Sequence, residues 1–323
     1  MGVLHDCNAR DAECRRNAIL RRAALRRTRP IDGQRSTRSD KRGGRRSAGP
    51  PQARHGPLGG QRSTRSDKRG GHMNTLVLDQ VSKHFGGVVA ADKVSMQVPA
   101  GRITGLIGPN GAGKSTIVNL VTGMMELSGG AIRLGERDLS TTSPHDISRA
   151  GLARTFQNIR LFKEAPAIDN VMGGFHRHES CSLISSLLAL PSARAETRRI
   201  REQAGALLER FNMTRYASFP AGGLAYGHQR RVEIMRALAS GPSVLLLDEP
   251  VAGMNDVEAG ELGAIFSELA ASGMAVLLIE HNMRFVTRLC EHVYVLDGGR
   301  LIAEGAPKKV VSDPAVIAAY LGT

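Results

Sequence analysis

Residues 108–115 read GPNGAGKS, and the spacing G-x-x-x-x-G-K-S fits one piece of chemistry, the cradling of a phosphate chain. Gly108, Gly111 and Gly113 carry no Cβ, so the backbone can turn sharply and aim several N–H groups at one anion. Lys114 is placed to reach β- and γ-phosphates, and the Ser115 hydroxyl to meet Mg²⁺. Pro109, Asn110, Ala112 and Thr116 fill out the same loop. A triphosphate also needs a metal carboxylate and a group that prepares water. In SVLLLDEP (243–250), Asp248 can hold Mg²⁺ and Glu249, one residue on, can face the γ-phosphate as general base. His281, in GMAVLLIEHNM (273–283), can hydrogen-bond a γ-phosphate oxygen and the attacking water. Taken singly, these are a Gly-rich turn, a strand end before proline and a solvated loop histidine. Their joint occurrence favours nucleotide hydrolysis.

These side chains need strands that stop at a common level. RITGLIG (102–108) is a short apolar run ahead of the loop, and a helical pattern opens near Lys114. Val244 to Leu247 is a run of four aliphatics, the mark of a parallel strand buried on both faces. The segment ending at His281 reads the same way. An α/β fold with a mostly parallel sheet follows.

The chain has 323 residues and a formal net charge of +14. That charge is local: residues 1–72 hold 19 basic and 6 acidic side chains, and the rest is nearly balanced at 25 against 24. The first 72 residues lack Phe, Tyr and Trp and cannot offset their ordering entropy by burial. They repeat GQRSTRSDKRGG at 33–44 and 60–71. This segment reads as a disordered basic arm or as upstream or added sequence before a functional start at Met73, and its stretch CRRNAILRRAALRRTR (14–29), Arg-rich and nearly free of acids, also reads as a transit peptide. Met73 is the favoured start, because every chemical motif follows it. Four cysteines without a C-x-x-C pair suit a reduced protein. HRHESC (176–181) offers His176, His178 and Cys181 to a metal, or is simply a solvated stretch before a helix. No apolar run approaches the roughly 18 residues that span a bilayer.

The order of the phosphate loop, RTFQNIRLF (154–162), LAYGHQRR (224–231), LLLDEP and IEHNM resembles the ATP-binding domain of ABC transporters, over residues 73–323. The resemblance implies a P-loop NTPase fold of class α/β: a mostly parallel core sheet, an antiparallel β portion, and a helical subdomain at about 157–240. It implies that Gln157 couples the γ-phosphate and Mg²⁺ to a membrane partner and that Phe85 stacks on adenine, unless Phe85 is core packing. It also makes Ala225, Tyr226, Gly227 and His228 the signature that closes over ATP held by an opposing domain. Gly227 would allow close approach, and a helix from about His228 would point its N-terminus at the far γ-phosphate. Ala225, Tyr226 and His228 depart from the usual Leu-Ser-Gly-Gly-Gln.

LAYG-x-QRR, RTFQNIRLF, EPVAGMN and the ending VIAAYLG are similar to the ATPase subunits of branched-chain amino acid importers, where Ala, Tyr and a D-loop Asn (here Asn255) are ordinary. The cofactors implied are ATP and Mg²⁺. The partners implied are integral-membrane permease subunits, a second identical or related ATPase subunit and, indirectly, a periplasmic or extracellular solute-binding protein, at the cytoplasmic face of the inner membrane. LISSLLALP (183–191) either faces the permease or packs locally. The solute is not read by this chain, so urea or amides stay open beside amino acids. A soluble ABC ATPase acting on ribosomes or nucleic acid is a second class; such relatives usually carry two ATPase domains or a long coiled coil, and no specific nucleic acid is expected here. A non-catalytic binding module whose nucleotide cycle only regulates assembly is a third, and the intact Asp248, Glu249 and His281 argue against it.

Overall fold

The computed structural model describes residues 75–178 and 191–321. Strands β1 (Leu76–Phe85) and β2 (Val88–Val98) form an antiparallel hairpin turning at Gly86 and Gly87. β4 (Gly129–Leu134) pairs with the other edge of β1, and β5 (Arg137–Asp138) pairs with β4. This is the expected antiparallel portion, ordered β2-β1-β4-β5. The second sheet holds β3 (Ile103–Ile107), β6 (Leu152–Arg154), β7 (Val244–Asp248), β8 (Ala275–Ile279), β9 (His292–Asp297) and β10 (Arg300–Gly305). Its order is β10-β9-β3-β8-β7-β6, parallel except for β10 against β9.

The helices are α1 (Lys114–Val121), α2 (Pro144–Ala150), α3 (Ala167–Met172), α4 (Pro191–Arg210), α5 (Tyr226–Ala239), α6 (Asp256–Ala271), α7 (Met283–Leu289), α8 (Pro307–Val310) and α9 (Pro314–Leu321). Local chemistry sets several ends. Ser143 caps α2 by accepting from the Asp146 N–H, with Pro144 at the first position and Gly151 closing it at φ +110°. Asn255 and Glu258 satisfy each other's backbone donors at the start of α6, a capping box. In α4 a charged sequence buries Ala193, Ile200, Ala204 and Leu208, all on one helical face. In sequence, α3, α4 and α5 lie between β6 and β7, and they pack on one another as the helical portion.

Every residue of β7 and β8 is buried. Alternation divides them between two cores. Leu245, Leu247, Val276 and Leu278 face Phe266 of α6 and Met235 of α5. Val244, Leu246, Leu277 and Ile279 face Ile117 of α1 and Leu76 and Leu78 of β1. The basic segment 1–72, Cys181 and the apolar residues 183–190 lie outside the described residues, as do the side chains of His176 and His178.

Phe266 is among the largest fully buried side chains. Phe266→Ala is expected to destabilise the fold by about 3–5 kcal/mol, read as a lower urea midpoint at unchanged slope. A loss under about 1 kcal/mol would mean that α6 does not supply this core as described.

Candidate functional site

The phosphate loop leaves the end of β3 and enters α1 at Lys114. Gly108 has φ +150°, and a Cβ there would collide with the Leu296 carbonyl of β9. Gly113 caps α1 at φ +100°, where a Cβ would lie 2.7 Å from the Ala90 carbonyl oxygen. Both positions therefore require glycine. Within the loop the Ala112 N–H donates to the Pro109 carbonyl at 3.2 Å, and the Ala112 carbonyl accepts from the Gly299 N–H at 3.0 Å. The Lys114 ammonium curls back and donates to the carbonyls of Gly108 (2.7 Å) and Pro109 (2.9 Å). Burial pulls its pKa below the usual lysine value, against the opposing pull of Glu249 and Asp248.

At the end of β7, Asp248 pairs in register with Ile279 of β8, and Ile279 with Leu106 of β3. Three strand ends are thereby brought to one level. The Asp248 N–H donates to Thr155 Oγ1 at 3.1 Å, and its carboxylate, 9% exposed, lies 3.5 Å from Arg154. Burial pushes the Asp248 carboxyl above the ordinary value, by more than Arg154 restores. Glu249 adopts φ +48°, a left-handed conformation unusual for a residue of its size. Its N–H donates to the Ile279 carbonyl at 2.9 Å, which fixes the turn. The Glu249 carboxylate lies between His281 Nδ1 at 3.5 Å and Gln157 Nε2 at 3.4 Å. Strain of this kind, roughly 1–3 kcal/mol, persists only where the surroundings enforce it.

A cavity of about 240 Å³ collects Asn110 to Thr116, Gln157, Asp248 and Glu249. Gly108 and Pro109 bond the Lys114 side chain that lines it, and His281 lies against Glu249. Phe85 does not line it: it ends β1, 47% exposed and not in the core, with the Lys83 ammonium 5.1 Å from its ring centre. The signature residues also lie apart from the cavity, at the start of α5. That helix begins at Tyr226, two residues before the expected His228, with Ala225 as a cap whose side chain makes no cap hydrogen bond. The His228 ring lies 4.4 Å from that of Tyr216, and burial, then Arg231 and Arg215, lower its pKa.

The Ser115 hydroxyl, the Gln157 amide and the Asp248 carboxylate border one cavity and offer oxygen donors alone. This suits Mg²⁺, a hard cation that takes oxygen ligands with one or two carboxylates among them, and fills its remaining positions with water and phosphate.

Sequence reasoning did not single out Arg230, Glu233 and Glu280. The Arg230 guanidinium is fully buried; it donates to the carbonyls of Phe156 and of Gln157 (2.9 Å) and pairs with Glu233 at 2.8 Å. Glu233 accepts in turn from the Phe156 N–H at 3.3 Å. The backbone of Gln157 is thus strapped to the helix that carries the signature. Glu280, also buried, accepts from the N–H groups of Val251 and His281, both at 3.2 Å, which ties together the turns after β7 and β8. The available signal was the placement of charge on faces whose helical or strand period is apolar: Arg230 and Glu233 beside Val232, Ile234 and Met235, and Glu280 directly after β8.

A glycine loop feeding a helix N-terminus, a carboxylate pair at the end of the strand next but one in the sheet and oxygen donors around one cavity define a nucleoside-triphosphate-hydrolysing cassette of the P-loop class. The profile of the ABC transporter family matches residues 91–252, and that of the branched-chain amino acid ATP-binding cassette transporter matches residues 300–323. The chain is 40% identical to the high-affinity branched-chain amino acid transport ATP-binding protein BraF of Pseudomonas aeruginosa, over 76% of this chain and 97% of that one. It is 36% identical to the lipopolysaccharide export system ATP-binding protein LptB of Acidithiobacillus ferridurans, over 73% and 91%. The solved ADP conformation of an ABC transporter's ATP-binding cassette superposes with a TM-score of 0.68 at 34% identity, covering 78% of this chain and all of the other. The chain belongs to the ATP-binding, ATP-hydrolysing subunits of ABC transporters.

Because burial raises the Asp248 pKa, its ionised form costs the free protein stability, and that cost grows as pH rises from the ordinary carboxylate value through the raised one. Asp248→Asn removes the cost. Its melting temperature relative to wild type, without nucleotide, is expected to climb between about pH 4 and neutrality. A relative fall over that range would show that the Arg154 pair outweighs desolvation.

Proposed function

We propose that this chain is the ATPase subunit of an importer that takes up branched-chain or related amino acids through a separate membrane permease. One observation carries the choice of cargo class. Identity alone spans relatives named for amino acid transport and for lipopolysaccharide export, whereas the C-terminal profile over residues 300–323 is named for branched-chain amino acid transporters. LivG of Escherichia coli K12, at 39% identity over 97% of its length, bears the same kind of name as BraF.

In the proposed mechanism the loop amides and Lys114 hold the β- and γ-phosphates of ATP, with Lys114 leaving the carbonyls of Gly108 and Pro109 to do so. Glu249 accepts a proton from water as the water oxygen bonds the γ-phosphorus and the bond to the ADP oxygen breaks. His281 and Gln157 bracket the Glu249 carboxylate and fix its direction. Mg²⁺, held by Ser115, Gln157 and Asp248, would neutralise charge on the β- and γ-phosphates. Phe85, half-exposed at the surface, would stack on adenine.

Two such subunits, identical or related, close with each signature over the other's ATP. The bare N-terminus of α5 supports this part of the reading, since its first amides lack a side-chain cap. Permease subunits would sense closure through Gln157, whose backbone is held by α5, and a solute-binding protein would deliver cargo on the far side. Among the described residues no helix is long and apolar enough to cross a membrane. A peripheral place at the cytoplasmic face of the inner membrane completes the proposal.

Glu249→Gln is expected to lower ATP hydrolysis by about 10²- to 10⁴-fold while ATP affinity is kept; hydrolysis at the wild-type rate would remove Glu249 as the base. For the transport role, the chain tagged in its own cell and drawn gently from membranes should bring down a multi-span permease and a second ABC subunit. Recovery of ribosomal or nucleic-acid partners without a membrane protein would overturn the importer reading.

A further inference from the structure

The first residue of the phosphate loop is held by the last helix of the chain. The Gly108 N–H donates to the Tyr320 hydroxyl at 2.9 Å, across 212 positions of sequence. β9 meets β3 in register only as far as Ile107, opposite Val295, so the next N–H needs another acceptor. Gly108 itself lies flush on the Leu296 carbonyl, with no room for even a Cβ. Its own carbonyl accepts from Lys114. Among the described residues, Tyr320 and Lys114 are the two side chains that hydrogen-bond the backbone of residues 108–113. Their fates differ when nucleotide arrives. Lys114 must release the loop to reach phosphate, whereas the Tyr320 hydroxyl has no such second task.

Helix α9 is well placed to hold the loop. Val316 is sunk in the main core, α9 packs against β10, and Tyr320 reaches the loop from the last turn. A loop whose N–H groups must converge on one anion binds better when its entry is fixed beforehand, because less ordering remains to be done on binding.

We propose that Tyr320 is a positioning residue for the phosphate loop: its hydroxyl fixes Gly108 in the arrangement that receives phosphate, so that the C-terminal helix sets nucleotide affinity. The proposal rests on the reading of residues 108–116 as the nucleotide site.

The test uses the full chain with Tyr320→Phe, which deletes one oxygen and keeps the ring. ATP and ADP dissociation constants are measured with Mg²⁺, together with KM, kcat and the melting temperature without nucleotide. Loss of one hydrogen bond should weaken both nucleotides about 3- to 10-fold and raise KM alike. The value of kcat should stay within about twofold and the melting temperature should hold. Unchanged affinity overturns the proposal, and so does a lower melting temperature with unchanged KM, the pattern of a purely structural bond. Val316→Ala loosens the seat of α9 but keeps the hydroxyl; it should lower the melting temperature and raise KM less than Tyr320→Phe. A larger rise in KM from Val316→Ala would also overturn it. Lys114→Ala separates the two readings. If it loses nucleotide while Tyr320→Phe keeps wild-type affinity, the proposal falls alone; if it binds normally, the site assignment falls and the proposal with it.

Discussion

Parallel register across β3, β8 and β7 is the constraint on which the site rests. Leu106 stands opposite Ile279, and Ile279 opposite Asp248, so the phosphate loop, the carboxylate pair and the His281 turn all begin within two residues of a common level. A slip of one residue would exchange the two cores served by β7 and send Leu247 where Leu246 belongs. It would also shift Glu249 away from the Ile279 carbonyl that holds its N–H. The aliphatic strands are thus the alignment device of the charged groups of the site as well as the core. A fold with helices on both faces of a parallel sheet gives such alignment little freedom, because each strand is buried on both sides.

Buried charge carries the alignment beyond the sheet. None of the apolar residues of RTFQNIRLF is fully buried, and Gln157 lies in a loop after β6. Arg230 replaces packing there with directed bonds to the carbonyls of Phe156 and Gln157, while Glu233 neutralises it and takes the Phe156 N–H. A guanidinium with no solvent exposure is tolerable only when paired and bonded in this way. The result is mechanical: a displacement of α5 moves the Gln157 backbone with it. Tyr226, the first residue of the same helix, lies with its ring against Gly253 in the turn after β7. One helix therefore touches both the loop of Gln157 and the turn that follows Glu249.

The strands and loops of the site were legible in the sequence because their signals are local. VLLLD and AVLLI are continuous buried runs, and G-x-x-x-x-G-K-S implies its own strand and helix. What the sequence hid are bonds between distant segments. Arg230 to Phe156, Glu280 to Val251 and Tyr320 to Gly108 span 74, 29 and 212 positions. A single chain of letters carries no record of such pairings, and a tyrosine one residue from a helix end resembles any surface tyrosine. The start of α5 was placed two residues late for a related reason. Ala225 has no side-chain oxygen, so the usual mark of a helix N-terminus is missing.

That missing cap bears on the signature as a whole. Gly227 has an ordinary helical place, and a Cβ on it would meet Met254 at 3.6 Å, a normal contact. Nothing among the described residues therefore requires glycine at 227, in contrast to Gly108 and Gly113, where a side chain would strike backbone. Glycine in a helix costs about 1 kcal/mol against alanine, so the residue is unfavourable on local grounds. The same holds for Ala225, which leaves the first amides of α5 without a side-chain acceptor. Two neighbouring choices each weaken the isolated helix, and both expose backbone N–H groups on the same turn. They make physical sense together if the acceptor comes from outside the chain, as it would in the proposed pairing, where an opposing subunit presents the phosphates of its ATP.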